Sequence, residues 1–145
     1  MDMGLKGKTA VVTGSSLGLG KAMAIGLAQE GANVTICARR NEHLQTTKKE
    51  IENTGVQVLS VEADMNSKND IEKVITETVS KFGKLDILIN NAGDAEVGRK
   101  IEDEDDVWQA MYDICLWSCI RATRAAVPHM RAEGGGNIIN VASVS

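Results

Sequence analysis

Two periodicities alternate along this chain, and few architectures accept such a sequence. The segments 9–14 (TAVVTG), 33–38 (NVTICA), 56–63 (VQVLSVEA), 85–90 (LDILIN) and 137–142 are short and apolar, as strands buried on both faces are. Helical spacing separates them. From Gly18 to Glu30 the apolar positions are Ala22, Met23, Ile25, Leu27 and Ala28, and Gly31 stands where a helix-terminating glycine belongs. Asn41 can cap a second helix, with Leu44, Thr47 and Ile51 on its inner face and Gly55 closing it. Ser67 with Asp70 reads as a capping box ahead of Ile71, Val74, Ile75, Thr78, Val79 and Phe82. A long helix from about Asp105 to Arg131 precedes the last strand, and the acidic run 102–106 complements the positive end of its dipole. Each helix returns the chain for another parallel strand. The expected fold is therefore an α/β, doubly wound parallel sheet of five strands.

Composition narrows the function. A length of 145 residues suits one domain, and 43% apolar but only 3% aromatic content implies a core of branched aliphatics, Met and Ala. The net charge of −4 and the lack of a long basic run argue against a nucleic-acid partner. No apolar run approaches a membrane span, and the start shows no signal-peptide stretch. Cys37, Cys115 and Cys119 are too sparse for a disulfide framework, which points to a reduced, cytoplasmic protein. Cys115 and Cys119 lie one helical turn apart, but no other ligand clusters there, so they read as two small buried residues and no metal is expected.

In a doubly wound sheet ligands bind beyond the carboxyl ends of the strands. The first such loop is TGSSLGLG (13–20). Gly14, Gly18 and Gly20 allow a sharp turn, close approach of a pyrophosphate and tight packing of the helix on the strand. It is not a P-loop: Ser15 stands where that motif needs its first glycine, and Ala22 follows Lys21 where Ser or Thr is required. At the end of the second strand, where a carboxylate would bind adenosine ribose hydroxyls, the sequence is Cys37-Ala38-Arg39-Arg40. Guanidinium groups there favour a 2′-phosphate, hence NADP over NAD.

TGSSLGLG, NNAG (90–93) and the serine-tipped strand NIINVAS (137–143) together resemble the short-chain dehydrogenase/reductase family over the whole chain. The resemblance implies a Rossmann-like domain spanning 1–145. It implies that Gly14, Ser15, Ser16, Gly18, Leu19 and Gly20 line the diphosphate and ribose, and that Arg39 reads the 2′-phosphate. Asp64 and Met65 would contact adenine; Asn90, Ala92 and Gly93 would flank the ribose and brace the sheet. Ser143 falls on the catalytic serine that polarises the substrate carbonyl. The implied activity is NADP(H)-dependent hydride transfer to or from a carbonyl or secondary alcohol, with NAD as the other possible cofactor.

Three departures accompany the resemblance. The family's Tyr-Lys pair would lie beyond Ser143, so the chain reads as truncated before it and inactive alone; the only tyrosine is Tyr112, with Leu116 four residues on. This leaves a catalytically silent dinucleotide-binding module as the alternative. Many relatives place an asparagine of the proton relay where Cys115 aligns, and NADP-preferring relatives often carry a basic residue where Leu17 stands. On the long helix, Val107, Met111, Ile114, Cys115, Cys119, Ala122 and Ala126 can face the sheet, while Trp108, Tyr112, Leu116, Ile120 and Val127 form a second apolar stripe. A surface helix needs only one. The second suggests a homo-oligomer through 105–131, or cover by residues outside this chain. The last strand, with Ile138, Ile139 and Val141, would form a sheet edge. The substrate pocket has one contributor, the loop 94–101.

Overall fold

The computed structural model describes residues 1–93 and 100–143. Residues 94–99 of the expected substrate loop lie outside the described residues. The elements run β1 (Thr9–Thr13), α1 (Gly18–Gln29), β2 (Asn33–Ala38), α2 (Asn41–Glu52), β3 (Val58–Glu62), α3 (Lys68–Phe82), β4 (Ile87–Asn90), α4 (Asp105–Tyr112), a π-helical segment (Asp113–Trp117), α5 (Ser118–Ala132) and β5 (Asn137–Asn140). The sheet is wholly parallel, in the order β3-β2-β1-β4-β5. The expected α/β architecture is the observed one. The chain winds outward from β1 to β3, then crosses to β4 and β5 on the other side, so the switch point lies between β1 and β4.

Alternation along the strands divides the core. In β1, Ala10 and Val12 pack with Ala24, Ala28, Leu44 and Ile51 of α1 and α2. Val11 points the other way, into a cluster with Ile71, Val74, Ile75, Ala122, Ala126 and Met130 of α3 and α5. All five residues of β1 are buried. Successive strand side chains point to opposite faces, so helix pairs on both faces are what a buried central strand requires.

Several expectations need correction. Strands β3 and β4 are shorter than the apolar runs; Leu85 and Ala63 are buried just outside them, and the Ala63 amide still donates to the Ala38 carbonyl at 3.0 Å. Asn41 is the first residue of α2, not its cap; its carboxamide oxygen accepts from Gln45 Nε2 at 2.9 Å, while Arg40 holds the cap position without a side-chain bond. The long helix is not one regular α-helix. At 113–117 it widens into a π turn, with the Ser118 N–H donating to the Asp113 carbonyl. The extra residue in that turn rotates everything after it. Ser118, Ala122, Ala126 and Met130 become the buried positions of α5. Cys115, expected to be buried, is exposed, and Cys119 is half-buried.

Candidate functional site

The carboxyl ends of β1 and β4 are clamped together by their own polar groups. The buried Thr13 hydroxyl accepts from the Asn91 and Ala92 amides at 3.0 and 2.9 Å. Asn91 Nδ2 donates to the Thr13 and Gly14 carbonyls, both at 3.1 Å. Two glycines make this possible. Gly14 has φ +62°, and a Cβ there would lie 3.0 Å from Ala92 Cα. A Cβ on Gly20 would lie 2.3 Å from the Gly14 carbonyl oxygen and 2.5 Å from Asn91 Nδ2. No other residue type fits at 20 without moving backbone.

Helix α1 thus starts hard against the end of β1, and it starts bare. Leu17 occupies its cap position with no side-chain hydrogen bond, and its first turn carries no acidic residue. The amides of Gly18, Leu19 and Gly20 lack intrahelical partners and point beyond the helix, with the positive end of the dipole behind them. An anionic diphosphate fits such a cradle. Lys21 is not part of it: its ammonium lies 2.8 Å from Glu50 of α2. By contrast α3 is capped, with Ser67 Oγ accepting from the Asp70 N–H at 3.2 Å.

A cavity of about 530 Å³ opens at this switch point. Of the residues expected at the site, Gly14, Ser16, Arg39, Asp64, Met65, Ala92 and Gly93 line it. Gly18 and Leu19 do not line it; they follow Leu17, which does, on the first turn of α1. The side chains of Arg39 and Arg40, exposed past the end of β2, make no hydrogen bond or ion pair among the described residues. Asp64 is fixed from both sides: its amide donates to Asp70 Oδ2 at 2.8 Å, and its Oδ1 accepts from the Asn66 amide at 2.9 Å.

Two expected residues lie behind the cavity instead of lining it, and of these Asn90 braces the sheet as expected. The Ser15 side chain does not face the cavity. It is fully buried, donating to the Val12 carbonyl and accepting from the Cys37 amide at 3.0 Å, and so stitches β1 to β2. Asn90 is buried too; its Nδ2 donates to Asn140 Oδ1 at 2.8 Å and to Thr123 Oγ1 at 3.3 Å, bracing β4 to β5 and α5. Asn91 is the asparagine that reaches the cavity, and His43 and Ile114 line it as well. The signal for Asn91 was its place in the NNAG run, since neighbours at a strand end face opposite ways. His43 offered none beyond lying one turn past Arg39.

Ser143 is exposed, three residues beyond β5. The Val141 amide still donates to the Asn90 carbonyl at 2.9 Å, so this segment stays alongside β4 at the cavity end of the sheet. Cys115 approaches from the π segment, its sulfur 4.0 Å from where a Gly93 Cβ would stand. Cys37 is inert by comparison: burial pushes its thiol up to about 12, against a smaller lowering by the Gly14 backbone. Among the described residues no cluster of metal-ligating side chains exists, and no helix is long and apolar enough to cross a membrane.

Known proteins share this arrangement. A family model described as short chain dehydrogenase matches residues 8–145. The uncharacterized oxidoreductase YvrD of Bacillus subtilis is 37% identical over 143 residues, which are 99% of this chain and 54% of that protein. The L-sorbose reductase of Gluconobacter frateurii, solved with NADPH and L-sorbose, superposes with a TM-score of 0.94 at 41% identity, covering 99% of this chain and 55% of its own. An NAD+-bound xylitol dehydrogenase superposes at 0.90 with 28% identity, covering 96% and 54%. The chain spans about half the length of these relatives. The fold is shared with these solved structures, and the chain belongs to the short-chain dehydrogenase family of oxidoreductases.

Proposed function

We propose that the protein is an NADP(H)-dependent oxidoreductase that moves hydride between the nicotinamide and a carbonyl or secondary alcohol. The observation that carries the cofactor preference is the adenosine end of the cavity, where Arg39 and Arg40 stand and the strand-end carboxylate that would hold ribose hydroxyls is missing. The bound cofactor would supply the hydride. In this reading the protein does the rest. The amides at Gly18–Gly20, with Gly14 and Ser16, hold the diphosphate, and Arg39 pairs with the 2′-phosphate. Asp64 and Met65 hold the adenine, Ala92 and Gly93 bound the ribose, and Asn90 keeps β4 and β5 in register beneath it. Ser143 donates a hydrogen bond to the substrate oxygen. The chain then forms a single nucleotide-binding unit over 1–145. Its three free cysteines suit a reducing cytoplasm, and the helical region 105–131 is its oligomer contact.

Calorimetric titration with NADP and NAD tests the cofactor. A charge-assisted hydrogen bond is worth roughly 1.5–3 kcal/mol, or about 10- to 150-fold in affinity. NADP is therefore expected to bind more tightly by that factor, and Arg39→Ala to erase most of the difference. Equal affinities in the parent would overturn the assignment. A second reading, nucleotide binding without turnover, is favoured by Cys115, which stands beside Gly93 where relatives carry the relay asparagine. NADPH oxidation with a panel of ketones separates the two.

A further inference from the structure

Resting on the NADP reading, we infer that His43 is a third cationic group at the 2′-phosphate, so that discrimination between NADP and NAD is set by pH as well as by the two arginines. The arginines hold a fixed positive charge across the physiological range. Histidine is the side-chain type whose charge can change in that range.

The placement is specific. β2 ends at Ala38, Arg39 and Arg40 form the turn, and α2 begins at Asn41, which puts His43 on its first turn. Arg39, Arg40 and His43 line the same cavity, together with Asp64 from the loop after β3. None of the three basic side chains has a hydrogen bond or ion pair among the described residues. No side chain caps α2, since Arg40 sits at the cap without bonding back. Three unengaged basic groups therefore stand around the entrance of one helix. A monoester phosphate carries up to two negative charges and three acceptor oxygens, which two arginines need not exhaust.

Other charges bear on His43. Glu42 is on its own turn, Glu62 and Asp64 are at the end of β3, and the Lys21 ammonium of α1 is engaged by Glu50. A bound 2′-phosphate would bring a further anion into this cluster, whereas NAD, lacking the phosphate, does not.

The test is a pH series of NADP and NAD dissociation constants for the full-length protein and for His43→Gln. The free cofactor's phosphate titrates near pH 6 identically in both titrations, so that ionisation cancels in the variant-to-parent ratio and what remains reports the bound state. For NADP that ratio is expected to be about 1 at pH 8.5 and to rise to about three- to fivefold near pH 6, the scale of a solvent-exposed ion pair. For NAD it stays near 1 throughout. A flat ratio for NADP, or an equal rise for NAD, overturns the role of His43 while leaving the NADP preference intact. A parent protein that prefers NADP at no pH overturns both. A second measurement needs no substitution. The chain has two histidines, so the imidazole signals of His43 and His129 can be followed by NMR. Saturating NADP should move the His43 midpoint upward, with His129 as the internal reference, and saturating NAD should not. An unmoved midpoint overturns the inference.

Discussion

At the scale of single residues, steric room makes opposite predictions for two glycines of one helix. Gly20 is enclosed by backbone, with a Cβ placed 2.3 Å from the Gly14 carbonyl, so Gly20→Ala must push α1 off β1. It should cost about 1–3 kcal/mol in urea unfolding and weaken NADP binding at least about tenfold by misplacing the amides. Gly26, on the same helix, has nothing within 4 Å and no positive φ. Gly26→Ala should stabilise by about 0.5–1 kcal/mol. If both substitutions destabilised alike, the close approach at 20 would not be the cause. At the far end of the sheet, Asp86 holds the start of β1. Burial raises its carboxyl, but the Thr9 amide at 2.8 Å, Lys84 at 3.1 Å and Lys8 at 3.5 Å outweigh that and leave it below the ordinary value. A depressed folded value means stability that is present above the unfolded value of about 3.9 and lost as pH falls through the folded one. The gap in unfolding free energy between the parent and Asp86→Asn should therefore be full at pH 7 and close below about pH 4. Not every residue role is readable from sequence. Ser15 and Ser16 are chemically alike, and only the inter-strand bond from the Cys37 amide makes the first structural and leaves the second at the cavity.

Elements were legible where their signals are local. Helix α3 announces itself by a cap and a period, and both operate: Ser67 accepts from Asp70, and Ile71, Val74, Ile75 and Thr78 are buried; the structure adds Gly83, which closes the helix in the left-handed region. The cap matters beyond α3, because Asp70 also accepts the Asp64 amide. Ser67→Ala should cost about 1 kcal/mol and weaken adenine-end binding by loosening the 64–66 loop. Thermal melts with and without NADP would separate the two effects, the ligand-induced shift shrinking only if the loop is involved. The π turn at 113–117 was not legible. DICLW contains neither Pro nor Gly, so no local signal marks the extra residue, which stands just ahead of the packing of α5 on α3 and β4. That single residue explains why the stripe drawn on the sequence held at Ala122 and Ala126 and failed at Cys115. A further consequence follows for thiol chemistry. Native-state labelling should modify Cys115 first and Cys119 more slowly, spare Cys37, and be slowed at Cys115 by bound cofactor. Fast labelling of Cys37 would contradict its burial.

For the molecule as a whole, the apolar surface is unevenly spent. Tyr112, Leu116 and Trp117 are 51%, 46% and 40% exposed around the π turn, and Ile139 is 49% exposed on the edge strand β5. Arg121 lies over the Trp117 ring at 5.7 Å, which covers one face of it and leaves Leu116 and Tyr112 to water. A surface helix gains nothing from a second apolar face, and an unpaired edge invites association. The two features lie on different elements, so substitution can tell them apart. If copies of the protein meet through 105–131, light scattering should give a mass above the monomer, and Leu116→Glu should return it to the monomer while Ile139→Lys leaves it unchanged. If the edge strand makes the contact, the pattern reverses. If another segment of the same protein covers the helix, the parent is already monomeric and Leu116→Glu lowers the melting temperature without changing mass. The first pattern is the expected one. A monomeric parent of unchanged mass across all three proteins would remove the oligomer contact proposed for the second stripe, and an unchanged melting temperature for Leu116→Glu would leave it without intramolecular cover as well.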